Sequence, residues 1–337
     1  MILITGGLGF IGSHLALYLL KQGKEVVLVD NLVNSNVHML ERLQYLAGRY
    51  IPFFDGDLRN TPALNKFIEQ YAIEMVVHCA GFKSVAESYL KPIEYYNNNL
   101  SSLISLIRAM QRAGIRKLIC ISSLMVYGQS ELNLFEQTTF NYETTNPYIK
   151  SQQMMERILR DVVATDAEWK MMLLRVSNVA GAFEDGFLGE FIATVPKSIF
   201  GFMLQTAKHE RSHIDLYLNR TTNDYSDERS FIHILDVCKA ISQSIQWLNL
   251  NMDYHILETL NIAHDQTHSI LDLIHTAEKI IQTKIPIISH QPDLNLYSDN
   301  GIAQLGANSQ KAKTILDWHT QYNLDEMIRH QWKFYTG

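Results

Sequence analysis

The sequence predicts an α/β protein, a Rossmann-like doubly wound parallel sheet with a smaller C-terminal α/β lobe. Short aliphatic runs alternate with helical stretches through the first half of the 337-residue chain, which is typical of strands joined by crossover helices. A glycine-rich segment, ITGGLGFIG, follows the first strand and opens the first helix, as in many nucleotide-binding sheets. Hydrophobic residues make up 47% of the chain, enough for a sizeable core.

Six strands and five helices are predicted in alternation up to residue 176. The strands cover residues 2–5, 25–30, 51–54, 74–80, 117–123 and 171–176. The helices lie near residues 11–22, 37–46, 61–71, 93–112 and 147–165. Because the carboxyl ends of parallel strands meet at one edge of the sheet, we expect ligands to bind there.

The alternation loosens after about residue 180, so we divide the chain into domains at residues 1–176 and 177–337. The second part combines two short strands within residues 206–233 with four helices. These helices are predicted near residues 235–248, 269–282, 309–316 and 323–334. No low-complexity linker separates the two parts, which predicts that they touch along a cleft.

Charge and hydropathy argue against several classes of protein. The net charge is −6 and the basic residues are scattered, so the sequence offers no patch for nucleic acid. The apolar run LALYLL is too short for a membrane span or a signal segment. The three cysteines lie in or beside apolar runs without motif spacing, which favours reduced thiols and a cytoplasmic protein.

The glycine-rich segment has the spacing of a dinucleotide-binding loop. Gly6 allows the tight turn, Gly9 lets the backbone approach a pyrophosphate, and Gly12 allows close packing of the helix. Asp30 follows Gly12 by eighteen residues, at the end of the second strand. A carboxylate there can bond both ribose hydroxyls and repel a 2′-phosphate, so the pair of features favours NAD over NADP.

The segment NPYIKSQQMMERI places Tyr148 in the first turn of a helix, because a proline at the first helical position is a common helix start. A tyrosine there is either an ordinary surface residue or an acid/base. Residues four apart share a helix face, so Tyr148 faces Gln152, whereas Lys150 points nearly the opposite way.

Two helices carry more apolar surface than one face requires. The apolar residues are Met154, Met155, Ile158, Leu159, Val162 and Val163, with a similar pattern in residues 100–110. Two interpretations stay open, a helix buried between the sheet and the second lobe, and a seam between two copies in a homodimer.

Histidines provide weaker signals. The segment HERSH, residues 209–213, matches a zinc-protease pattern, but it runs directly into a predicted strand and lacks a third ligand, so we predict no metal site. His14, His78 and His233 lie in apolar contexts, where a structural imidazole is more common than a catalytic one.

Several motifs occur in an order that resembles the extended short-chain dehydrogenase/reductase family. They are TGGLGFIGSH, DNLVNS at 30–35, GDLRN at 56–60, AGFKSVAES at 80–88, KPIEYYNNN at 91–99, SSLMVYG at 122–128 and NPYIKSQ. Within the family, the resemblance is to the branch that inverts C4 of UDP-hexoses of the UDP-glucose and UDP-galactose type. It implies bound NAD, a UDP-sugar substrate and a homodimer.

The resemblance implies roles for individual residues. The cofactor residues are Gly6, Gly9, Phe10, Ile11, Gly12, Asp30, Asn31, Asn34, Ser35, Asp57, Leu58, Ala80, Gly81, Lys83, Asn98, Tyr148 and Gln152. The substrate residues are Lys83, Ser123, Tyr148, Asn178, Arg229, Asp293 and Tyr297. Tyr148 would take the proton of the sugar C4 hydroxyl while hydride passes to NAD, and Ser123 would bond the C4 oxygen.

One catalytic position departs from the family. The family tyrosine is followed four residues later by a lysine, and that position is Gln152 here. The amide can bond the nicotinamide ribose but cannot favour the phenolate by opposite charge. A phenol with a pKa near ~10 is ~0.1% ionised at pH 7, a deficit of ~4 kcal/mol. We therefore expect slower chemistry, with Lys83 as the candidate for a compensating cation.

Other departures lie on the substrate side. His290 aligns with the arginine that the family places on the nucleotide diphosphate, and Glu190 with an asparagine. Val176 and Ser177 stand where the family has aromatic residues, and residues 299–305 look inserted. Leu124 and Met125 stand where related sugar dehydratases have an Asp-Glu pair, so dehydration is not expected. The sequence leaves two hypotheses, a slow or altered 4-epimerase and a non-catalytic protein that binds NAD or a nucleotide sugar.

Overall fold

The structure is a computed structural model that describes residues 1–191, 196–219, 222–291 and 302–337. The strands are β1 (Ile2–Thr5), β2 (Val26–Asp30), β3 (Phe53–Asp55), β4 (Met75–His78), β5 (Lys117–Ser123), β6 (Glu131–Leu134), β7 (Lys170–Val176), β8 (Asn178–Ala180), β9 (Ile214–Tyr217), β10 (Glu228–His233), β11 (Ile256–Ile262), β12 (Thr267–Ser269), β13 (Ile287–His290) and β14 (Gln304–Ala307). The helices are α1 (Phe10–Lys21), α2 (His38–Ala47), α3 (Thr61–Ile68), α4 (Val85–Leu90), α5 (Pro92–Tyr96), α6 (Ser102–Arg112), α7 (Pro147–Thr165), α8 (Ile199–Ala207), α9 (Ile234–Leu250), α10 (Ile270–Ile281), α11 (Gln310–Leu316) and α12 (Leu324–Thr336).

A seven-stranded parallel sheet forms the centre, in the order β11-β7-β5-β4-β1-β2-β3. The buried strands β1, β2 and β4 read as continuous apolar runs, as expected for a sheet covered on both faces. Ile2 pairs with Val26 on one side and with Met75 on the other. The predicted fold class and the six predicted strands of the first half are confirmed.

The seventh strand, β11, was not predicted. It pairs in parallel with β7 from Ile256 opposite Lys170 to Ile262 opposite Val176. Its sequence, ILETLNI, breaks the apolar run with Glu258 and Asn261. Glu258 is partly exposed and pairs with Lys311, and the buried Asn261 accepts a hydrogen bond from the Tyr127 hydroxyl at 2.7 Å, so both polar residues have partners.

The helix predicted near residues 93–112 is three pieces. A single π-helical turn, Asn97–Ser101, separates α5 from α6. Such turns are frequent at functional sites, and this one contains Asn99, the buried asparagine of the NNN run.

Helices cover the central sheet on both faces. One core cluster joins it to α1 and α9 through residues such as Leu15, Leu19 and Ile241, and the other joins it to α6 and α7 through Leu106 and Leu159. The inner halves of the two apolar helices therefore pack on the sheet. Their outer faces keep exposed apolar residues, Ile104 and Met154, so the dimer interpretation stays a prediction.

The second lobe holds a sheet in the order β12-β10-β14-β6, with β8 paired to β10, and a two-stranded sheet of β9 and β13. Helices α8, α10 and α12 share its core cluster. The four helices predicted here are confirmed. The boundary between residues 176 and 177 stays a prediction, although β6 joins the second sheet and β11 joins the first. None of the helices in the described ranges is long and apolar enough to cross a membrane.

Candidate active site at the carboxyl edge of the parallel sheet

A groove opens at the carboxyl ends of β1, β2, β3 and β4. It is lined by many of the residues that the resemblance assigns to the cofactor. These are Gly6, Gly9, Asp30, Asn31, Asn34, Ser35, Asp57, Leu58, Ala80, Gly81 and Asn98. The structure thus brings together residues from five separate segments of the sequence, at the edge where a parallel sheet binds ligands.

The glycine loop leaves no room for side chains at two positions. Gly6 has φ +64°, and a Cβ there would lie 2.8 Å from the Cα of Ala80. A Cβ on Gly12 would lie 2.1 Å from the carbonyl oxygen of Gly6. Helix α1 begins at Phe10 without a capping side chain, so the N–H groups of its first turn, including Phe10 and Ile11, are available to an anion.

Asp30 ties the loop to the end of β2. Its carboxylate accepts hydrogen bonds from the backbone N–H of Leu8 at 3.0 Å, the N–H of Leu32 at 2.9 Å and the Ser35 hydroxyl at 2.7 Å. About four acceptor positions are available on a carboxylate, so capacity remains for a ribose hydroxyl. The uncapped helix start, the glycines and this acid fit a dinucleotide.

Asp57, also on the groove wall, has protein partners on both oxygens. Arg59 donates to it at 2.8 and 2.6 Å, and the side chain of Asn31 donates at 3.0 Å. The hydrogen bonds from Arg59 are the main reason that the pKa of Asp57 is well below its usual range. The carboxylate is therefore ionised and already occupied by Arg59 and Asn31.

Asn99, which sequence reasoning missed, organises the loop after β4. Its buried side chain accepts from the N–H of Phe82 at 2.8 Å and donates to the Phe82 carbonyl at 3.1 Å and to Ser151 at 3.1 Å. It links the groove loop to α7 within one turn of Tyr148. The NNN run was a signal, and Asn99 is the one of the three asparagines that shares a helix face with the buried Tyr95 four residues earlier.

Tyr148 and Ser123 lie beside each other at the carboxyl end of β5, the strand that pairs with β4 in the central sheet. Asn146 caps α7 by accepting from the N–H of Ile149 at 3.0 Å, and Pro147 occupies the first turn. Ser123 is the last residue of β5. Tyr148 is 8% exposed. Burial raises the pKa of this phenol above its ordinary value of 10, and the hydrogen bond with Ser123 lowers the pKa only in part.

Gln152 follows Tyr148 by one helical turn and is 7% exposed. Its amide has no hydrogen-bond partner among the residues that the structure describes. No lysine or arginine in that part of the chain lowers the pKa of Tyr148. The site therefore holds its phenol beside neutral groups.

Lys83 forms an ion pair instead of approaching the phenol. Its ammonium lies 2.9 Å from a carboxylate oxygen of Glu190 and 5.8 Å from the centre of the Phe10 ring. Lys83 therefore stands at the start of α1, close to the expected pyrophosphate position. It makes no contribution to the pKa of Tyr148, so the compensating role proposed for it has no support in this geometry.

A buried ion pair lies between α7 and the strands β5 and β7, and it was not predicted from the sequence. Arg175 donates to Glu156 at 2.9 and 2.7 Å, and Ser122 donates to the same carboxylate at 2.8 Å. Arg175 also donates to the Tyr127 hydroxyl at 3.0 Å. Glu156 lies two turns after Tyr148 on the same face of α7, so the pair joins that helix to β5 and β7.

The second-lobe residues are only partly placed. Asn178 is exposed in β8, opposite Phe231 of β10. Arg229 is buried in β10, where it pairs with Asp227 at 2.8 Å and donates to the Ile302 carbonyl at 2.8 Å. Asp293 and Tyr297 lie outside the described residues.

Histidine positions follow the sequence interpretation. Burial lowers the pKa of His14 and His78 to about 4 and that of His233 to about 3, so these imidazoles are neutral structural groups. His290 bonds Asp215 at 2.6 Å. The HERSH segment follows the end of α8 and is not helical. No group of three potential metal ligands occurs in the described ranges.

The fold and the groove define a dinucleotide-binding α/β protein with a tyrosine and a serine side by side at the carboxyl end of β5. Residues 2–262 match the family model described as the NAD dependent epimerase/dehydratase family. The chain belongs to this family, which confirms the resemblance drawn from the motifs.

The chain is similar to proteins named UDP-glucose 4-epimerase. It is 33% identical over 334 residues to that of Neisseria meningitidis serogroup C and 35% identical over 336 residues to that of Yersinia enterocolitica, covering 99% of this chain and 96% of each relative. Among solved structures, it matches UDP-glucose-4-epimerase of Stenotrophomonas maltophila with bound NAD and formylated UDP-arabinopyranose, with a TM-score of 0.91 and 32% identity. It matches that of Bifidobacterium longum in complex with NAD+ and UDP equally well, at 0.91 and 32%. The alignments cover 99% of this chain and 97% and 98% of those chains.

Proposed function

We propose that this protein is an NAD-dependent epimerase that inverts C4 of a UDP-hexose of the UDP-glucose and UDP-galactose type through a 4-keto sugar. The observation that carries the proposal is the buried Tyr148 beside Ser123 at the carboxyl end of β5, in the same sheet whose strands β1 to β4 end in the dinucleotide groove. Full-length relatives with this name, two of them solved with NAD and a uridine nucleotide, support it.

The groove assigns the cofactor to NAD. Asp30 would bond the adenosine ribose hydroxyls, and its charge would repel a 2′-phosphate. The uncapped start of α1 would face the pyrophosphate. The loop that Asn99 organises, including Ala80 and Gly81, would lie against the nicotinamide side of the molecule. When bound, NAD accepts hydride from C4 and later returns it.

The chain's own residues handle the proton. Tyr148 would take the proton from the C4 hydroxyl and return it after the 4-keto sugar has turned over. Ser123 would hold the C4 oxygen and share the hydrogen bond that it makes with the phenol. Gln152 would donate its amide N–H to the nicotinamide ribose, without the charge that favours a phenolate.

The neutral surroundings of Tyr148 favour a second candidate, a protein that binds NAD and a nucleotide sugar without turning the sugar over. Burial raises the pKa of the phenol, and Gln152 supplies no opposing charge. Such a protein would keep the nucleotide-binding groove but would not catalyse the reaction.

A coupled assay separates the two candidates. Purified protein is denatured to identify and quantify the nucleotide it releases, and intact protein is then assayed with UDP-galactose, UDP-glucose and their N-acetyl forms. Released NAD with interconversion of a UDP-hexose is expected. Released NAD without conversion of any of the four sugars would favour the binding protein.

We also propose a cytoplasmic homodimer. Apolar residues stay exposed on the face formed by α4 to α7, including Leu90, Ile93, Ile104 and Met154, and a second copy would cover them. Light scattering after size exclusion is expected to give twice the chain mass of 38.7 kDa. A single chain mass at micromolar concentration would contradict the dimer.

A further inference from the structure

A lysine of the second lobe joins the two sides of the dinucleotide groove. The ammonium of Lys197 donates to the side-chain oxygen of Asn34 at 3.0 Å and to a carboxylate oxygen of Glu87 at 3.1 Å. Asn34 lies between β2 and α2, and Glu87 lies in α4, which follows β4. Lys197 directly precedes Ser198, the residue that caps α8 in the second lobe. One cation therefore connects three segments that are distant in the sequence.

The bridge from Asn34 to Glu87 spans the groove. Strand β1 lies between β2 and β4 in the central sheet, and the glycine loop follows β1. The groove is lined by Asn34 on the β2 side and by Gly81 and Phe82 on the β4 side. A dinucleotide with its pyrophosphate at the start of α1 would extend between these two sides. The bridge would then lie across the bound molecule.

Glu87 is the better fixed end of the bridge. Its carboxylate also accepts from Lys91 at 3.0 Å and from the hydroxyl of the buried Tyr95 at 3.2 Å. Burial raises the pKa of this carboxyl, but the hydrogen bonds from Lys91 and Lys197 outweigh burial and hold the pKa below its ordinary value. The carboxylate is therefore ionised at neutral pH, and its hydrogen bond with Lys197 is strengthened by charge.

The other end of the bridge fixes the orientation of an amide. A lysine has donors only, so the oxygen of the Asn34 side chain faces Lys197 and its N–H2 group lies on the other side. That group can then donate to a ribose hydroxyl, which agrees with the role that the resemblance gives to Asn34. The bridge is thus compatible with a ligand in the groove.

We propose that Lys197 retains the bound dinucleotide by bridging the groove from Asn34 to Glu87, so that the bridge must open before NAD leaves. The inference rests on the NAD site of the proposed function and does not require the reaction at C4. The Lys197 side chain is 38% exposed, so solvent weakens the ion pair and the expected effect on release is moderate.

The test is the rate at which NAD-loaded protein exchanges its cofactor for radiolabelled NAD added in excess. Samples are passed through a gel-filtration column at intervals, and the protein-bound label is counted. Lys197→Met is expected to shorten the exchange half-time about three- to ten-fold, since it removes one charge-assisted bridge. Equal half-times in the two proteins, including no measurable exchange in either, would overturn the proposal.

A matched variant tests whether the effect comes from charge alone. Lys91→Met removes the same charge from the same Glu87 carboxylate, but Lys91 lies within one turn of Glu87 and does not join the two sides of the groove. Its exchange half-time is expected to stay within about two-fold of the wild type. An equal acceleration by Lys91→Met would show that the bridge does not retain the cofactor.

Glu87→Gln distinguishes the bridge from a direct attraction between Lys197 and the cofactor. Loss of a negative charge near an anionic ligand would by itself slow the release of that ligand. The bridge predicts the opposite sign, a half-time about two- to five-fold shorter, because the amide holds Lys197 less tightly. In that background, Lys197→Met should have a smaller effect than in the wild type. Slower exchange in Glu87→Gln would contradict the bridge.

The exchange measurement needs no sugar, so its outcome is separate from the proposed reaction. If UDP-hexoses are not converted but Lys197→Met and Glu87→Gln both speed exchange, the reaction fails and the role of Lys197 stands. If UDP-hexoses are converted and Lys197→Met leaves the half-time unchanged, the reaction stands and the role of Lys197 fails.

Discussion

The two sides of the site use charge in different ways. The cofactor side presents backbone N–H groups at the start of α1 and the carboxylate of Asp30. The basic residues Lys83, Arg229 and His290, to which the resemblance or its alignment gave ligand contacts, instead have acidic partners among the described residues. The pairs are Lys83 with Glu190, Arg229 with Asp227 and His290 with Asp215. The helix start therefore offers N–H donors to an anion, whereas these basic groups are already paired within the protein.

The proposed catalytic residues extend the same contrast. Tyr148 has Ser123 beside it, but its pKa is raised by burial and no described cation opposes that shift. Under the proposed function, retention of the cofactor and speed of the reaction would depend on different residues. Variants should therefore be able to change the rate of the reaction without changing the amount of NAD that the protein retains.

The largest expected effect comes from removing the phenol. Tyr148→Phe should lower kcat by at least ~10³-fold, because the proposed mechanism transfers the C4 proton to this phenol. The same variant should release as much NAD on denaturation as the wild type. Activity within ten-fold of the wild type would assign the base to another residue.

Restoring a cation should have the opposite effect. Gln152→Lys should raise kcat by ~10²- to 10³-fold, because an ammonium one turn from Tyr148 favours the phenolate. Lys150→Gln, on the far face of the helix, is the matched control and should leave kcat unchanged. A loss of activity in Gln152→Lys with normal NAD content would show that the amide has a role a lysine cannot fill.

The features of the fold and of the site differ in whether they could be predicted from the sequence. Glycine spacing, Asp30 and the alternating strands are local signals, so the central fold and the residues of the groove followed from them. The pairing of Lys83 with Glu190, or of Arg175 with Glu156, joins segments distant in sequence, and local periodicity has no information on such contacts. Strand β11 was missed because its polar residues interrupt the apolar run. Asn99 was missed although it follows the buried Tyr95 by four residues, the spacing of one helix face.

Substitutions in the buried ion pair of Glu156 and Arg175 should affect stability more than activity. Glu156→Ala leaves the buried Arg175 without its carboxylate, which should lower the free energy of unfolding by about 3–5 kcal/mol. Asp161→Ala removes a partner of Arg157 in an exposed pair and should cost at most ~0.5 kcal/mol. Urea denaturation of the two variants measures both values, and equal losses would contradict the structural role of the buried pair.

The central claim is that Tyr148 ionises without help from a neighbouring cation. The deprotonated phenol is the reactive form, so a raised pKa makes kcat increase as the pH rises toward that pKa. The direct measurement is the pH dependence of kcat for NAD-loaded wild type and Gln152→Lys. We expect the rising limb of the wild type to lie about one to two pH units above that of the variant. Rising limbs at the same pH in the two proteins would contradict the account.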